Sequence, residues 1–231
     1  MTNLDDILID LSGSHLTILL PFEYRYAGTA VYGKGIGTAR RIINLKVDEN
    51  FSGDKTDFNS PEASIRDYAM NQGWMESSIG FLTSASMDSY STSRMSFENL
   101  SIETHLTSGL SNARVAGDKA EYREISSEVK SGGTINTIII CNTSLTLQAA
   151  IEALMISAGA KARVLQEMDV KSRVSDTIAT GTGTDSSVII YPDSKIRSEE
   201  IKYAGMHTIT GELVGQTVIT ALKNSLAWYR K

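Results

Sequence analysis

The chain has 231 residues, 41% of them hydrophobic, which is enough to bury a substantial core and predicts one compact domain over residues 1–231. The 22 basic and 27 acidic residues give a net charge of −5, and no basic cluster exceeds the pair Arg40–Arg41, which argues against nucleic acid as a partner. The N-terminus opens with acidic residues, and no apolar run approaches the roughly 18 residues of a membrane-spanning helix. We therefore expect a cytoplasmic protein with no membrane partner.

The first third of the chain predicts an antiparallel sheet followed by a helix. Residues 16–20 and 24–32 are typical of two strands joined as a hairpin near Pro21. Residues 39–47 alternate between apolar and polar side chains, as on a half-buried third strand. A helix is predicted over residues 61–71, because a serine cap and a first-turn proline open it.

Two further strands are predicted over residues 79–85 and 100–110. The polar segment between them, residues 86–99, has no clear period and indicates a surface connection, with a mobile lid as the alternative. Thr107 lies near the end of the second strand, and Asn112 lies in the small-residue loop after it. Both offer polar side chains to a ligand, although a surface turn would have the same composition.

Residues 135–141 form an unbroken apolar run, which predicts a central strand covered on both faces, with Cys141 as a buried small hydrophobe. Asn142, Thr143 and Ser144 are predicted to cap the longest helix, whose core face is Leu147, Ile151, Leu154, Met155, Ala158, Ala162 and Leu165. Helix N-termini favour oxyanions and polar ligands, so Asn142 and Ser144 are candidate substrate-binding residues as well as candidate caps.

A second candidate site is the Thr/Gly-rich loop that leads into a short apolar strand. Its members combine hydroxyls, backbone freedom and a carboxylate: Thr180, Gly181, Thr182, Gly183, Thr184 and Asp185. A phosphate-binding P-loop has the reverse order and a lysine, so nucleotide binding of that kind is excluded. The alternative is a tight polar turn in which Asp185 accepts hydrogen bonds from backbone amides.

The C-terminal part of the chain carries His207 and Glu212 just before and within a predicted terminal helix. The packing face of that helix is Val214, Val218, Ala221 and Leu222. His207 is a candidate for catalysis and equally for a structural role, while Glu212 is a candidate base that would also complement the first turn of the helix. About seven strands and three or more helices predict an α+β fold, with mixed, largely antiparallel sheets and a long C-terminal helix.

Taken in order, several of these stretches resemble the adenosylcobinamide amidohydrolases, the CbiZ family. The matching stretches are residues 39–47, 80–86, 106–112, 116–118, 133–138, 160–162, 179–186 and 203–208. The run Thr-Gly-Thr-Gly-Thr-Asp and the run Ala-Gly-Met-His-Thr are the most specific of them.

The resemblance implies hydrolysis of the amide that links aminopropanol to the corrin ring of adenosylcobinamide, giving adenosylcobyric acid for cobalamin salvage. The family is typically archaeal. The substrate brings the cobalt, so no cofactor and no protein metal site are implied, and the partner is a corrinoid, with homo-oligomerisation left open. Amide hydrolysis needs a nucleophile, a base and oxyanion donors; Asp185, His207 and Glu212 are the candidate catalytic residues, and the 181–184 amides or the Asn142 junction the candidate donors.

Two other readings stay open. One is a corrinoid or small-molecule binding module without chemistry, and the other is an amidase with a Thr or Ser nucleophile, exposed by self-cleavage before Thr143 or Ser144. We expect the 180–185 loop, residues 142–144 and His207 to converge on one cleft flanked by residues 86–99. We also expect Asp185→Asn to lower the rate about a hundredfold with little change in melting temperature.

Overall fold

The computed structural model of the chain describes residues 4–47, 60–120, 133–195 and 199–228. The helices in this part are α1 (Pro61–Asn71), α2 (Leu147–Glu167) and α3 (Ile209–Ala227). The strands are β1 (Leu8–Leu11), β2 (His15–Gly28), β3 (Ile36–Lys46), β4 (Ser78–Thr83), β5 (Ser91–Phe97), β6 (Leu100–Ser108), β7 (Ala113–Arg114), β8 (Ile135–Cys141), β9 (Ser144–Leu145), β10 (Gly181–Thr182), β11 (Ser186–Tyr191) and β12 (Glu200–Ile201). The predicted α+β class is confirmed.

Eight of the described strands form one mixed sheet in the order β4-β3-β2-β11-β8-β6-β5, with β1 paired to the start of β2. Most neighbours are antiparallel, while β3 and β4 run parallel, as do β8 and β11. The predicted hairpin at Pro21 is wrong, because β2 continues through the proline as one 14-residue strand. Its ladder with β3 shifts register between Leu19 and Tyr24, and such an irregularity accommodates a residue without an N–H.

The sheet bends back on itself around β2. In a flat sheet, β3 and β8 would lie about 14 Å apart, because two strands separate them. The Asn136 side chain on β8 nevertheless donates from Nδ2 to Asn44 Oδ1 on β3 at 2.9 Å. Between the two halves lies an apolar core that includes Ile42, Phe81 and Ile138. The fold therefore brings the start of β8 against the ends of β3 and β4.

Helices cover both outer faces of the bent sheet. On one side, α1 packs Ile65 and Ala69 against Ile43 and Leu45 of β3. The predicted limits of this helix are confirmed, and Ser60 caps it by accepting from Ala63 N at 3.2 Å.

On the other side, α2 and α3 pack against the sheet and against each other. The predicted packing face of α3 is confirmed, since Val214, Val218, Ala221 and Leu222 are all fully buried. Cys141 at the end of β8 is also buried, as predicted.

The predicted packing face of α2 is wrong. Leu147, Ile151 and Met155 are 40%, 49% and 67% exposed, and of the predicted set only Leu165 is buried. The helix instead buries a face rich in small residues: Ala149, Ala150, Ala153, Ile156, Ser157, Ala160, Lys161, Val164 and Leu165. Small side chains let the helix axis approach its neighbours closely, which offsets the smaller apolar area of each residue.

Residues 86–99 are not a lid or an irregular connection. They contain a short 3-10 turn at Met87–Ser89 and then β5, an edge strand whose seven residues all pair with β6. The strand was not predicted from the sequence because its exposed side chains include threonine, arginine and serine, which are also common in loops. In the described part of the chain, no helix has the length and apolar character needed to cross a membrane.

Candidate functional site

A buried ion pair lies where β11 begins. Lys161 Nζ on α2 is 3.0 Å from Asp185 Oδ2, and the two side chains are 7% and 16% exposed. Burying an ammonium and a carboxylate costs free energy that a hydrophobic pair would not, so such a pair is a weak device for stability alone. Its presence marks this end of β11 as a candidate site.

The second oxygen of Asp185 is also occupied. Asp185 Oδ1 accepts from the backbone N–H of Ile135, the first residue of β8, at 3.0 Å, and from the Thr182 hydroxyl. Gly181 makes room for this carboxylate, because a Cβ there would lie 2.7 Å from Asp185 Oδ2. Asp185 therefore accepts from a backbone amide, as the alternative interpretation of the loop predicted, and it also binds the charged side chain of Lys161.

The Thr/Gly loop lies against the segment that follows β6. Thr180 Oγ1 accepts from Ala116 N at 2.9 Å, Gly183 N donates to Asn112 O at 3.1 Å, and β10 pairs with β7. Asn112 also donates from Nδ2 to Thr184 Oγ1 at 3.3 Å. The structure thus brings Asn112 into the same cluster as the loop.

Asp118 fixes the segment that supports the loop. Its carboxylate accepts from the hydroxyls of Ser172 and Ser175 and from the backbone N–H of Val115. These hydrogen bonds hold the pKa of Asp118 below its usual value. The bond from Ser172 has the largest effect, and those from the Val115 N–H and from Ser175 come next. A fixed supporting segment keeps the polar groups of the loop pre-positioned.

Buried polar groups extend from this cluster into the bend of the sheet. Thr134 Oγ1 donates to Thr184 O at 2.8 Å, which joins the loop to the start of β8. Asn136 donates to Asn44 Oδ1 and to Leu82 O, and Asn44 Nδ2 donates to Thr107 Oγ1 at 2.8 Å. Thr107 therefore lies in the same network, fully buried between the two halves of the sheet.

Asn142 and Ser144 lie at the other end of β8. Asn142 Oδ1 accepts from Ser101 N at 2.9 Å and Nδ2 donates to Asn99 O at 3.0 Å, so this side chain binds the β5–β6 turn. Ser144 belongs to β9 and is buried. The cap of α2 is Thr146, whose hydroxyl accepts from Ala149 N at 3.2 Å, so the prediction that residues 142–144 cap the helix is wrong.

His207 and Glu212 lie near Asn142 and Ser144 rather than near Asp185. Residues 204–208 are held to the first half of α2 because Ala204 N donates to Glu152 Oε2 at 2.6 Å. His207 is exposed next to Gly205, and Glu212 is exposed in the first turn of α3, where it accepts from Gln216 Nε2 at 3.0 Å. Their catalytic assignment stays a prediction.

The expected convergence on one cleft is not observed. Asp185 binds Ile135 at one end of β8, while Asn142 follows the other end, and seven strand residues span about 20 Å. The same separation appears along α2, because Lys161 binds Asp185 whereas Glu152 binds Ala204. The predicted residues form two groups: Thr107, Asn112, Thr180, Gly181, Thr182, Gly183, Thr184 and Asp185 at one end, and Asn142, Ser144, His207 and Glu212 at the other.

Sequence reasoning missed Lys161, Asn136 and Asn44 as members of the site. Lys161 had a detectable signal, because it is a lone cation on a helix face that also carries Ala160, Val164 and Leu165. Asn136 and Asn44 interrupt apolar strands, and a buried amide in such a place needs polar partners. Which partners they find depends on the bend of the sheet, and no local pattern predicts that bend.

The Asp185 end has the groups that amide hydrolysis needs. Asp185 is a carboxylate in contact with a hydroxyl, Lys161 is a cation, and the loop carries further hydroxyls and amides. Among the described residues, no cluster of three or more His, Cys, Asp or Glu side chains could hold a metal ion.

Two solved structures share a distant likeness with the chain. They are the PH0078 protein of Pyrococcus horikoshii OT3, with a TM-score of 0.45 and 10% identity over 96% of this chain and 83% of that one, and a β-aminopeptidase of Burkholderia sp., with a TM-score of 0.47 and 11% identity over 96% and 82%. At these TM-scores neither likeness bears on the chemistry of the chain.

Two curated proteins from archaea are similar in sequence. An uncharacterized protein of Methanocaldococcus jannaschii, MJ1613, is 29% identical over 150 residues, which cover 59% of this chain and 57% of that protein. The adenosylcobinamide amidohydrolase of Methanosarcina mazei is 27% identical over 217 residues, which cover 91% of this chain and 94% of that protein. The family model for adenosylcobinamide amidohydrolase, CbiZ, matches residues 8–231, so the chain belongs to that family of amide-hydrolysing enzymes.

Proposed function

We propose that the chain hydrolyses the amide linking aminopropanol to the corrin ring of adenosylcobinamide, releasing adenosylcobyric acid and 1-amino-2-propanol for cobalamin salvage in the cytoplasm. The observation that carries this proposal is the family match over residues 8–231, together with a relative of that name aligned over nearly its whole length. The buried Lys161–Asp185 pair and its hydroxyl neighbours supply a suitable site.

We assign the role of general base to Asp185. Its Oδ1 already accepts a hydrogen bond from the Thr182 hydroxyl, which is the geometry in which a carboxylate takes a proton from an attacking oxygen. A water molecule gives a proton to Asp185 and attacks the amide carbon, which forms the new C–O bond; the C–N bond then breaks, and Asp185 passes the proton to the departing amine. The products are then the corrin carboxylic acid and the free aminopropanol, with one water consumed.

Lys161 has two roles in this proposal. It orients the Asp185 carboxylate through their 3.0 Å contact, and in this proposal its positive charge stabilises the negative charge that builds up on the amide oxygen in the transition state. The backbone N–H groups of residues 181, 182 and 184 are the candidate further donors, since that of Gly183 already binds Asn112 O. Cobalt enters this scheme as part of the substrate, and the proposal assigns no metal to the protein itself.

The deciding experiment is incubation with adenosylcobinamide, followed by mass spectrometry of the corrinoid product. We expect adenosylcobyric acid to appear in proportion to enzyme. Asp185→Asn removes the proposed base at one end with little change of shape, and His207→Ala removes the exposed histidine at the other end. A rate loss of about a hundredfold or more in folded Asp185→Asn, with His207→Ala near the parent rate, would support the assignment. The opposite result would move the chemistry to the His207 end.

A second mechanism has its own structural support. Because Thr182 donates directly to Asp185, its oxygen is the candidate nucleophile of this route. Its attack on the amide carbon expels aminopropanol and leaves the corrin acid as an ester on Thr182, which water then hydrolyses. Intact-protein mass spectrometry during turnover distinguishes the routes. A transient mass increase that disappears in Thr182→Val supports attack by threonine, whereas a constant protein mass supports direct attack by water.

Two outcomes would support the other readings of the sequence. Corrinoid binding without any product would favour the non-catalytic binding module. Self-cleavage before Thr143 or Ser144 would yield two fragments in the same mass spectrum, and Ser144 Oγ is indeed buried without a hydrogen-bond partner among the described residues. An undivided active chain would exclude that route.

A further inference from the structure

Helix α2 leaves a continuous apolar surface facing outward. Its members, called the outer stripe from here on, are Leu147, Ile151, Met155, Ala158 and Ala162, which fall within an arc of about 80° on the helix. Leu147, Ile151 and Met155 are 40%, 49% and 67% exposed. The outward face of a helix is normally polar, so a stripe of this kind indicates a contact surface.

The charged residues of α2 lie beside the outer stripe and not within it. Glu152 is turned toward Ala204 and binds its backbone N–H, and Lys161 is buried on Asp185. Arg163 and Glu167 pair with each other at 2.7 Å further around the helix. The stripe is therefore free of charge from Leu147 to Ala162 and could be covered without burying an ion.

Gly159 is a second, independent sign that something approaches α2. It lies in the middle of the helix, where glycine costs about 1 kcal/mol relative to alanine. A Cβ at this position would meet nothing within 4 Å, so packing within one chain gives no reason for the glycine. A neighbouring backbone close to this side of the helix would give one.

The stripe is complementary to itself. Its first half carries the large residues Leu147 and Ile151, and its second half carries the small residues Ala158 and Ala162. If two copies of α2 pair antiparallel about a two-fold axis between Leu154 and Met155, Leu147 of each copy lies opposite Ala162 of the other. Ile151 then lies opposite Ala158, and the two Met155 side chains meet beside the axis, so each large side chain meets a small one or lies beside the axis.

Further apolar side chains widen this surface. Tyr203 and Met206 are 59% and 81% exposed, and the bond from Ala204 N to Glu152 places them beside the first half of α2. In the antiparallel pair they face the second half of the other copy's helix, where Gly159 lies. A single helix pair is small beside the roughly 800 Å² that each partner buries in a stable interface, and these residues add to it.

We propose that the outer stripe is the interface of a homodimer, in which α2 of one copy packs antiparallel against α2 of a second copy of this chain. This inference concerns assembly and does not depend on the proposed substrate. The interface helix also carries Lys161, so the dimer contact and the candidate site share one rigid element.

Sedimentation equilibrium in the tens of micromolar range tests the proposal. The expected mass is twice that of the 25.1 kDa chain. Ile151→Glu places a charge in the centre of the stripe and is expected to give monomer with an unchanged melting temperature, because the side chain is half exposed in one chain. Met70→Glu, at a 69% exposed position on α1, is the matched control and should stay dimeric. A monomeric parent, or a dimer that survives Ile151→Glu, would overturn the proposal.

Disulfide crosslinking tests the antiparallel register. Chains with Ile151→Cys and chains with Ala158→Cys are mixed and oxidised, since facing positions in a close helix pair come within the Cα separation a disulfide spans. We expect the mixture to give covalent heterodimer and each variant alone to give little covalent dimer. Crosslinking of each variant chiefly with itself would indicate a parallel pair and contradict the proposed axis.

Discussion

Lys161 and Asp185 form a 3.0 Å ion pair with side chains only 7% and 16% exposed. Removing one charge of such a pair leaves the other buried without compensation, which is more costly than replacing both. Loss of either charge is therefore expected to destabilise the fold, which the composition of the Thr/Gly loop alone did not suggest. This changes the outcome expected for Asp185→Asn.

Asp185→Asn is expected to destabilise the fold by about 3 kcal/mol as well as to slow the reaction, because Lys161 loses its counter-ion. The unchanged melting temperature expected from the sequence is therefore revised. Adding Lys161→Met to Asp185→Asn should recover much of the lost stability, measured by urea denaturation. Glu167→Gln is the control, since the Lys223–Glu167 pair is 45% and 36% exposed and should have no measurable effect. Additive effects at residues 161 and 185 would contradict the coupling.

Gly181→Ala is expected to cost about 1–3 kcal/mol, since the new methyl group would push Asp185 out of its hydrogen bonds. A Cβ at residue 181 would lie 2.7 Å from Asp185 Oδ2, whereas at Gly183 its nearest neighbours lie at 3.3 Å and are side-chain atoms of Arg114 and Asn112. Gly183→Ala is thus the matched control and should change the melting temperature much less. Equal losses of stability in the two variants would show that the glycines are needed for their backbone conformation and not to leave space for the Asp185 carboxylate.

Asn136→Ala is expected to destabilise the chain by about 2–3 kcal/mol, because it leaves Asn44 Oδ1 and Leu82 O without their shared donor in the bend of the sheet. Thermal denaturation followed by circular dichroism measures the loss. Ser96→Ala on the exposed edge strand removes a 2.7 Å hydroxyl contact with Ser101 and should change stability little. A parent-like Asn136→Ala would mean that water replaces the amide and that the bend does not depend on it.

The free energy of unfolding should fall as the pH is lowered from about 6.5 to about 4, and we assign this fall to the titration of one residue, His105. Burial lowers the pKa of His105 to about 4, although the negative charge of Glu103 opposes this shift. The Tyr90 hydroxyl lies 2.9 Å from His105 Nδ1. The unfolded chain takes up this proton near pH 6.5 and the folded chain only near pH 4, so within that window protons favour unfolding. The slope attributable to one such group is about 1.4 kcal/mol per pH unit.

His105→Gln removes the titrating group and should flatten this part of the pH–stability curve, measured by urea denaturation at several pH values. His207→Gln is the matched control, because it makes the same substitution at an exposed histidine far from His105 in sequence. A parent-like slope in His105→Gln would assign the effect to other groups.

Local patterns determined much of the secondary structure. Alternation identified β3, an unbroken apolar run identified β8 as central, and a serine–proline start identified α1, because propensities and caps act over a few residues. The same applies to the loop before β11, whose composition singled out Asp185. Family membership, too, was readable from ordered short stretches, since these are properties of the sequence itself.

Tertiary structure decided which of two apolar faces of α2 is buried and which candidate residues meet. Both faces of α2 have helical spacing, and only the close approach of the sheet and α3 selects the one rich in alanine. The bend around β2 joins Asn44 to Asn136, and α2 carries Lys161 to Asp185, 24 residues away in sequence. Asn142 and His207 lie at the far end of β8, because an extended strand of seven residues keeps its two ends about 20 Å apart. Such contacts depend on the summed packing of the whole chain, which no local window contains.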